Sequence, residues 1–420
     1  MTSQSSAASL PQTAADQGAG LLFLLPFLLA LFGMIYGFGV SVSGVDQAGF
    51  MVDPSRMVVI GGAYGLGLIL CLSGGFGTGG GAGLSLYWVS LVGVLASALW
   101  SVYPQRVLIN FIHLGGASVV CVAAFHSLGR DSRRLFVPLA VMLQGVILAT
   151  IVVTKLFPSI GIESVTGRWQ GITTNPNHLG IVTVLASWAT TAALFSVRSR
   201  LARLGLLAFY PPIGWALLGS GSMSSMLLNV ICGGGMLFLM SLRNNPPLLR
   251  IGKILFLVVG GLAVLLGVFA IAPNLLDPDV LLGHLGRDAT LTGRTSLWAT
   301  ADDLIVAKPL LGWSYDSLGS VTATIVFDFA QFHNGYLDLL VRGGALGLGL
   351  FALITGRLLW VLFRLARHDY LFHAAGLVLV GATLLSNISE ASIYREANEL
   401  WQVYVLVLIT AELLHGKARK

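Results

Sequence analysis

Charge is what this chain has least of: 10% of its 420 residues are Asp, Glu, Lys or Arg, against 55% hydrophobic ones, and the mean hydropathy is +0.84. Soluble domains carry about 25% charged residues, so a water-facing surface wrapped around one core is excluded. Alternation is lacking too. The apolar residues run continuously rather than at every second position, which excludes an outer-membrane β-barrel. Cysteine is nearly absent, and Cys71, Cys121 and Cys232 fall inside apolar stretches at unrelated spacings. They read as small buried hydrophobes without a redox or metal role. No basic patch with interleaved aromatics occurs, so the net charge of +6 speaks of membrane orientation and not of nucleic acid. Residues 1–20 are rich in Ser, Ala and Gln and lack a basic n-region. They read as a disordered tail rather than a cleavable signal peptide.

What the chain has in abundance is helix-length apolar sequence. Segments of the length that crosses a bilayer lie at roughly 21–42, 57–74, 84–102, 106–128, 134–155, 177–197, 201–219, 222–242, 251–273, 335–363, 371–388 and 397–415. The tenth is too long for one upright span, so its start is expected to lie tilted or along the interface. The 52 glycines suit close helix packing in lipid. These segments predict an all-α polytopic membrane protein of about twelve transmembrane helices. Spans one to nine occupy 21–273, a long loop or lid 274–334, spans ten to twelve 335–415, and a basic tail 416–420.

Orientation follows from Lys and Arg in the short loops. Placing both termini in the cytoplasm puts most of the 24 basic residues inside, among them Arg130, Arg133, Arg134, Arg198, Arg200, Arg203, Arg243 and Arg250. The same assignment puts the long loop between spans nine and ten on the outer face. Arginines on that face gain nothing from topology, and Arg168 and Arg294 stand in distinctive local sequence there.

Three polar constellations carry candidate chemistry. The first is Gly167-Arg168-Trp169-Gln170-Gly171, followed by Thr174-Asn175-Pro176-Asn177-His178. A guanidinium between glycines at the membrane surface suits a phosphate, and Asn177 is placed to cap the next helix; a snorkelling arginine beside an ordinary turn is the plainer alternative. The second is Thr292-Gly293-Arg294-Thr295-Ser296-Leu297-Trp298, with Lys308-Pro309-Leu310-Leu311-Gly312-Trp313 after it. Arg294 in a first helical turn opposes the macrodipole unless it serves a bound anion. A structural ion pair with Asp288, Asp302 or Asp303 is the alternative. The third is His333-Asn334, where the loop re-enters the membrane. A histidine suits proton abstraction from a hydroxyl, and His178 competes for that role. Asn387, Glu390, Arg395 and Glu399 follow in the last outer loop, where they brace a site or bind an acceptor. Asp277-Pro278-Asp279 imitates a metal-binding D-x-D but is explained by a proline turn. Gly219 to Ser225 reads as a small-residue turn, structural by default.

Taken together, Gly-Arg-Trp-Gln-Gly…Asn-Pro-Asn at 167–177, Thr-Gly-Arg-Thr-Ser-Leu-Trp at 292–298, Lys-Pro-Leu-Leu-Gly-Trp at 308–313 and His-Asn-Gly-Tyr-Leu-Asp at 333–338 resemble the O-antigen ligase and exopolysaccharide polymerase superfamily of bacterial envelope enzymes. The resemblance covers roughly 165–390. It implies a GT-C-like fold in the inner membrane and a donor saccharide linked to undecaprenyl pyrophosphate. It also implies an acceptor hydroxyl, on glycan or lipid A–core, that attacks the anomeric carbon on the periplasmic face. Neither cofactor nor metal is implied. Carried onto matching positions, Arg168 and Arg294 bind the leaving pyrophosphate, and His333 activates the acceptor. Asn177, Arg287, Asn334, Glu390 and Arg395 join them as substrate-binding candidates. Where family members have Ser-Arg or Ser-Lys before the eighth span, this chain has Ser222-Met223, so Arg287 or Arg395 would supply a third cation.

The acceptor decides between a polymerase, a ligase onto lipid A–core and a protein O-oligosaccharyltransferase, and the motif spelling leans to the polymerase. A polysaccharide or lipid transporter is the contrasting class. Transporters place coupling charges at mid-membrane, whereas here the polar groups collect at one face.

Overall fold

Pro, Gly and Ser punctuate the apolar runs, and the chain folds as a helical bundle whose helices start and stop at that punctuation. A computed structural model describes residues 14–37, 54–74, 82–128, 131–257, 259, 294–324 and 331–418. Its helices are α1 (Ala14–Ile35), α2 (Pro54–Gly74), α3 (Ala82–Ala96), α4 (Pro104–Leu128), α5 (Phe136–Leu156), the single turn α6 (Pro158–Gly161), α7 (Pro176–Ser196), α8 (Arg200–Leu207), α9 (Tyr210–Ser220) and α10 (Met223–Leu242). After these come α11 (Arg294–Ala307), the short α12 (Gly319–Thr322), α13 (Gly335–Leu365), α14 (Tyr370–Ser386) and α15 (Glu399–Ala418). Among the described residues there is no strand, only an isolated bridge between Ile162 and Trp169.

Among the described residues helices fall at the expected apolar segments, with the following differences. α1 begins at Ala14, so the stretch read as a disordered tail is helical from that point, and α15 likewise continues to Ala418. The seventh span is broken into α8 and α9 around Ala208 and Phe209. Of the ninth, residues 251–257 and 259 are helical, and the rest lies outside the described residues. The overlong tenth is one helix of 31 residues interrupted at Gly344, whose φ of 60° and ψ of −165° are not helical. The part after the break is about 20 residues, one bilayer's worth. Among the described residues, eight helical stretches are long and apolar enough to cross a membrane, and Leu22–Ile35 and Tyr370–Ser386 are shorter apolar ones.

Two helices form the centre. α7 is buried from Leu179 to Ala193, and α15 from Leu400 to Leu413. α1, α2 and α4 pack together on one side, α15 meets α4, and α5 and α10 flank α7. α3 and α13 pair beyond α15, and α14 lies between α10 and α13. Lipid gives no hydrophobic drive to such contacts, so small residues and interhelical hydrogen bonds carry them. Gly180 of α7 sits so close to α10 that a methyl group there would lie 2.4 Å from Ser225 Oγ. The Trp188 indole donates to the Ala375 carbonyl of α14 at 2.9 Å. Charges inside the bundle are paired: Arg357 Nε lies 2.8 Å from Glu412 Oε1.

Candidate active site

One end of the bundle carries the polar groups. The stretch before α7, the stretch before α13 and the loop between α14 and α15 close around an open cavity of about 440 Å³. Arg56, Glu163, Arg168, Asn177, His178 and His333 line it, with Gln331, Glu390, Arg395, Glu396 and Glu399.

Arg168 is built in from two sides. Its Nε donates to the Ser220 carbonyl at 2.6 Å, and its Nη2 to Asn177 Oδ1 at 2.8 Å. The Gly219–Ser225 turn is therefore part of the site's support. A methyl on Gly219 would fall 2.3 Å from the Trp169 ring, and one on Gly221 (φ +57°) 3.2 Å from Arg168 Nε. Only glycine lets the Arg168-Trp169 pair lie down on this turn. Asn177 proves not to be the cap of α7. Asn175 takes that place, its side chain accepting from the His178 amide at 2.9 Å. Asn177, the second residue of α7, links Arg168 to Glu390, donating to Glu390 Oε1 at 2.9 Å.

Glu390 gathers two more donors. Gln331 Nε2 reaches its Oε2 at 3.2 Å, and His333 Nδ1 the same oxygen at 3.2 Å. Gln331 Nε2 also comes within 3.3 Å of that Nδ1; against this neutral amide the carboxylate decides the tautomer, with hydrogen on Nδ1 and the Nε2 lone pair left for a substrate proton. His333 is 34% exposed, enough to meet a ligand. Its backbone is held at φ +50°, an uncommon region for a side-chain-bearing residue that costs about 1–3 kcal/mol unless its surroundings impose it. The surroundings do. Trp298 Nε1 of α11 donates to the Phe332 carbonyl at 2.9 Å. Asn334 Oδ1 caps α13 by accepting from the Tyr336 and Leu337 amides. Asn334 is thus a capping residue, and it is not among the residues lining the cavity.

The two competing histidines differ in what their nitrogens do. His178 has Nδ1 hydrogen-bonded to Thr174 Oγ1 at 2.8 Å and Nε2 set 2.8 Å from Glu399 Oε2, an ion-pair contact without hydrogen-bond geometry. His333 has only Nδ1 engaged among the described contacts. Arg395 lines the cavity while its guanidinium grips Asp338 through Nε at 3.1 Å and through Nη2. Burial opposes its charge, but the carboxylates of Asp338 and Glu396 outweigh this and raise its pKa above the ordinary value.

Arg168, Asn177, His333, Glu390 and Arg395 therefore share one cavity. Arg287, Asp277 and Asp279 lie outside the described residues, as does the side chain of Arg294, whose backbone opens α11. Sequence reasoning passed over Arg56, Glu163, Gln331 and Glu396. Arg56 bonds the Gly33 and Met34 carbonyls at the end of α1, a contact no local pattern signals. Gln331 stands two residues before His333 and was open to nomination on that ground. Among the described residues, no three His, Cys, Asp or Glu side chains are grouped as a metal ion would need.

No family model matches the chain. Over 209 residues it is 28% identical to the exopolysaccharide production protein ExoQ of Rhizobium meliloti (strain 1021), a match covering 45% of this chain and 45% of that relative. The superfamily resemblance is supported. The chain spans less than half the length of ExoQ in this match, and what it shares is kinship with a protein of exopolysaccharide production.

Proposed function

We propose that this protein is a periplasmic-face glycosyltransferase of exopolysaccharide or O-antigen assembly, taking saccharide from undecaprenyl pyrophosphate to an acceptor sugar hydroxyl. The reading places it in the bacterial inner membrane with about twelve spans and both termini cytoplasmic. The observation that supports it is the linked set Arg168–Asn177–Glu390–His333 lining one cavity, with a guanidinium suited to a phosphate and an imidazole suited to a proton. Nε2 of His333 takes the acceptor's proton as its oxygen bonds to the anomeric carbon. The bond from that carbon to the pyrophosphate oxygen breaks, and its electron pair leaves with the pyrophosphate. The guanidinium of Arg168 stabilises the charge that develops there, together with Arg294 on this reading. Glu390 already accepts from three donors, which makes it an orienting group rather than a nucleophile. Direct displacement with inversion follows.

Purified protein given an undecaprenyl-pyrophosphate-linked repeat unit, with and without lipid A–core, tests this beside His333→Ala. A ladder of lengthening lipid-linked products without core identifies a polymerase. Single transfer that requires core identifies a ligase. No product in any arm sinks the glycosyltransfer reading.

A further inference from the structure

The His-Asn-Gly-Tyr-Leu-Asp motif ends on a residue that the reaction above leaves unused. Asp338 is wholly buried, yet two arginines converge on it. Arg342, one turn further along α13 and itself wholly buried, places Nε 2.8 Å from Asp338 Oδ2. Its other two nitrogens donate to consecutive carbonyls of the α14–α15 loop, Nη2 to Ile393 at 2.7 Å and Nη1 to Tyr394 at 3.0 Å. The next residue in that loop is Arg395, and Asp338 holds its guanidinium in a two-point fork. One turn of α13 thus fixes the backbone before Arg395 and the side chain of Arg395 itself. The loop it fixes is strained, with φ of +51° at Tyr394 and +48° at Ala397, conformations that persist only when the surroundings over-determine them. α13 also begins at its Asn334 cap, directly after His333. The base and Arg395 are therefore indexed to the same rigid helix.

We infer that Asp338 and Arg342 are positioning residues that aim Arg395 into the cavity as a preorganised further cation for the pyrophosphate of the donor. This rests on the glycosyltransfer reading only in its choice of ligand. A helix turn that merely needed its charges paired would be served by Asp338 and Arg342 alone. Asp338 engages Arg395 as well, through two of its nitrogens, and so fixes a guanidinium that lines the cavity. A fork of two hydrogen bonds is also what holds a guanidinium in a single plane. Such a group meets a phosphate without first being ordered, which is where affinity is gained.

The test is binding in detergent by the full-length protein, with undecaprenyl pyrophosphate as probe and undecaprenol, which has the chain but no phosphates, as control. The proteins are the wild type, Asp338→Asn, Asp338→Asn/Arg342→Gln and Arg395→Lys, each with its thermal unfolding recorded. Asp338→Asn buries an uncompensated charge and is expected to lose stability. The double variant removes that surplus and recovers stability while still lacking the fork. Loss of a charge-assisted hydrogen bond predicts pyrophosphate affinity lower by about ten- to a hundredfold in the double variant and in Arg395→Lys. Undecaprenol affinity is expected to move less than about twofold. Recovery of pyrophosphate affinity along with stability in the double variant would make the cluster purely structural and overturn the inference. Equal losses for both ligands would do the same, as would absence of pyrophosphate binding by the wild type. Wild-type binding without turnover on the linked repeat unit would sink the transfer reading alone and leave the positioning role standing on its own affinities.

Discussion

Three donors, from Asn177, Gln331 and His333, converge on the Glu390 carboxylate, so its substitution by an amide has a specific consequence. Gln at 390 turns one acceptor oxygen into a donor, and at least one of the three loses its partner. The imidazole is then no longer held to a single tautomer. In Glu390→Gln kcat is expected to fall about ten- to a hundredfold, short of the roughly 10²- to 10⁴-fold loss from His333→Ala. Initial rates on the lipid-linked substrate check the order, and a Glu390→Gln loss as deep as that of His333→Ala would make the carboxylate itself the reacting group. Arg168 gives a second expectation. Its guanidinium bonds the Ser220 carbonyl and Asn177 at once, and a lysine has no fork with which to keep both. Arg168→Lys is expected to raise the donor KM about tenfold or more with the acceptor KM unmoved, and steady-state kinetics in both substrates separate the two.

At the level of elements, one of the motifs that looked chemical turns out to be joinery. Lys-Pro-Leu-Leu-Gly-Trp does not line the cavity. It repairs the break in α13, where the Ala345 and Leu346 amides donate to the Pro309 and Leu310 carbonyls and the Trp313 amide donates to Val341. A methyl on Gly344 would lie 2.3 Å from the Leu310 oxygen, at a φ of +60° that side chains rarely adopt. Gly344→Ala is therefore expected to destabilise the protein by about 2 kcal/mol or more, read as a lowered Tm in detergent. An unchanged Tm would mean that the break is not built in. Trp298, the last residue of Thr-Gly-Arg-Thr-Ser-Leu-Trp, likewise acts through the Phe332 carbonyl. The sequence made His333, Arg168 and the helical segments legible because an isolated polar residue between apolar runs has few structural uses. It hid the Gly219–Ser225 turn and Asp338, whose importance lies in contacts across 52 and 57 positions of chain. The Asn175 cap was hidden for a different reason, since either asparagine flanking Pro176 satisfies the same rule.

At the scale of the whole molecule, hydropathy located the long apolar helices among the described residues, because length and apolarity are what a bilayer demands. It could not see the break within the seventh span, where amphipathic Arg200–Leu207, with Arg200 and Arg203, and apolar Tyr210–Ser220 average into one apolar window. Orientation rests on the distribution of Lys and Arg and is open to direct measurement. Cys71, Cys121 and Cys232 are all wholly buried, so a cysteine introduced on the surface has little background to compete with. Ser164 is exposed just before Arg168, at the end that carries the cavity, and Asn244 is exposed in the turn after α10, beside Arg243. In intact spheroplasts a membrane-impermeant maleimide is expected to label Ser164→Cys and to reach Asn244→Cys only after the membrane is permeabilised. The lipid-linked donor requires that result, because its saccharide is presented on the outer face. Labelling of Asn244→Cys alone would put the cavity on the cytoplasmic side, where His333 and Arg168 would face nucleotide-linked sugars. The undecaprenyl-pyrophosphate reading would then fall whatever the rate assays returned.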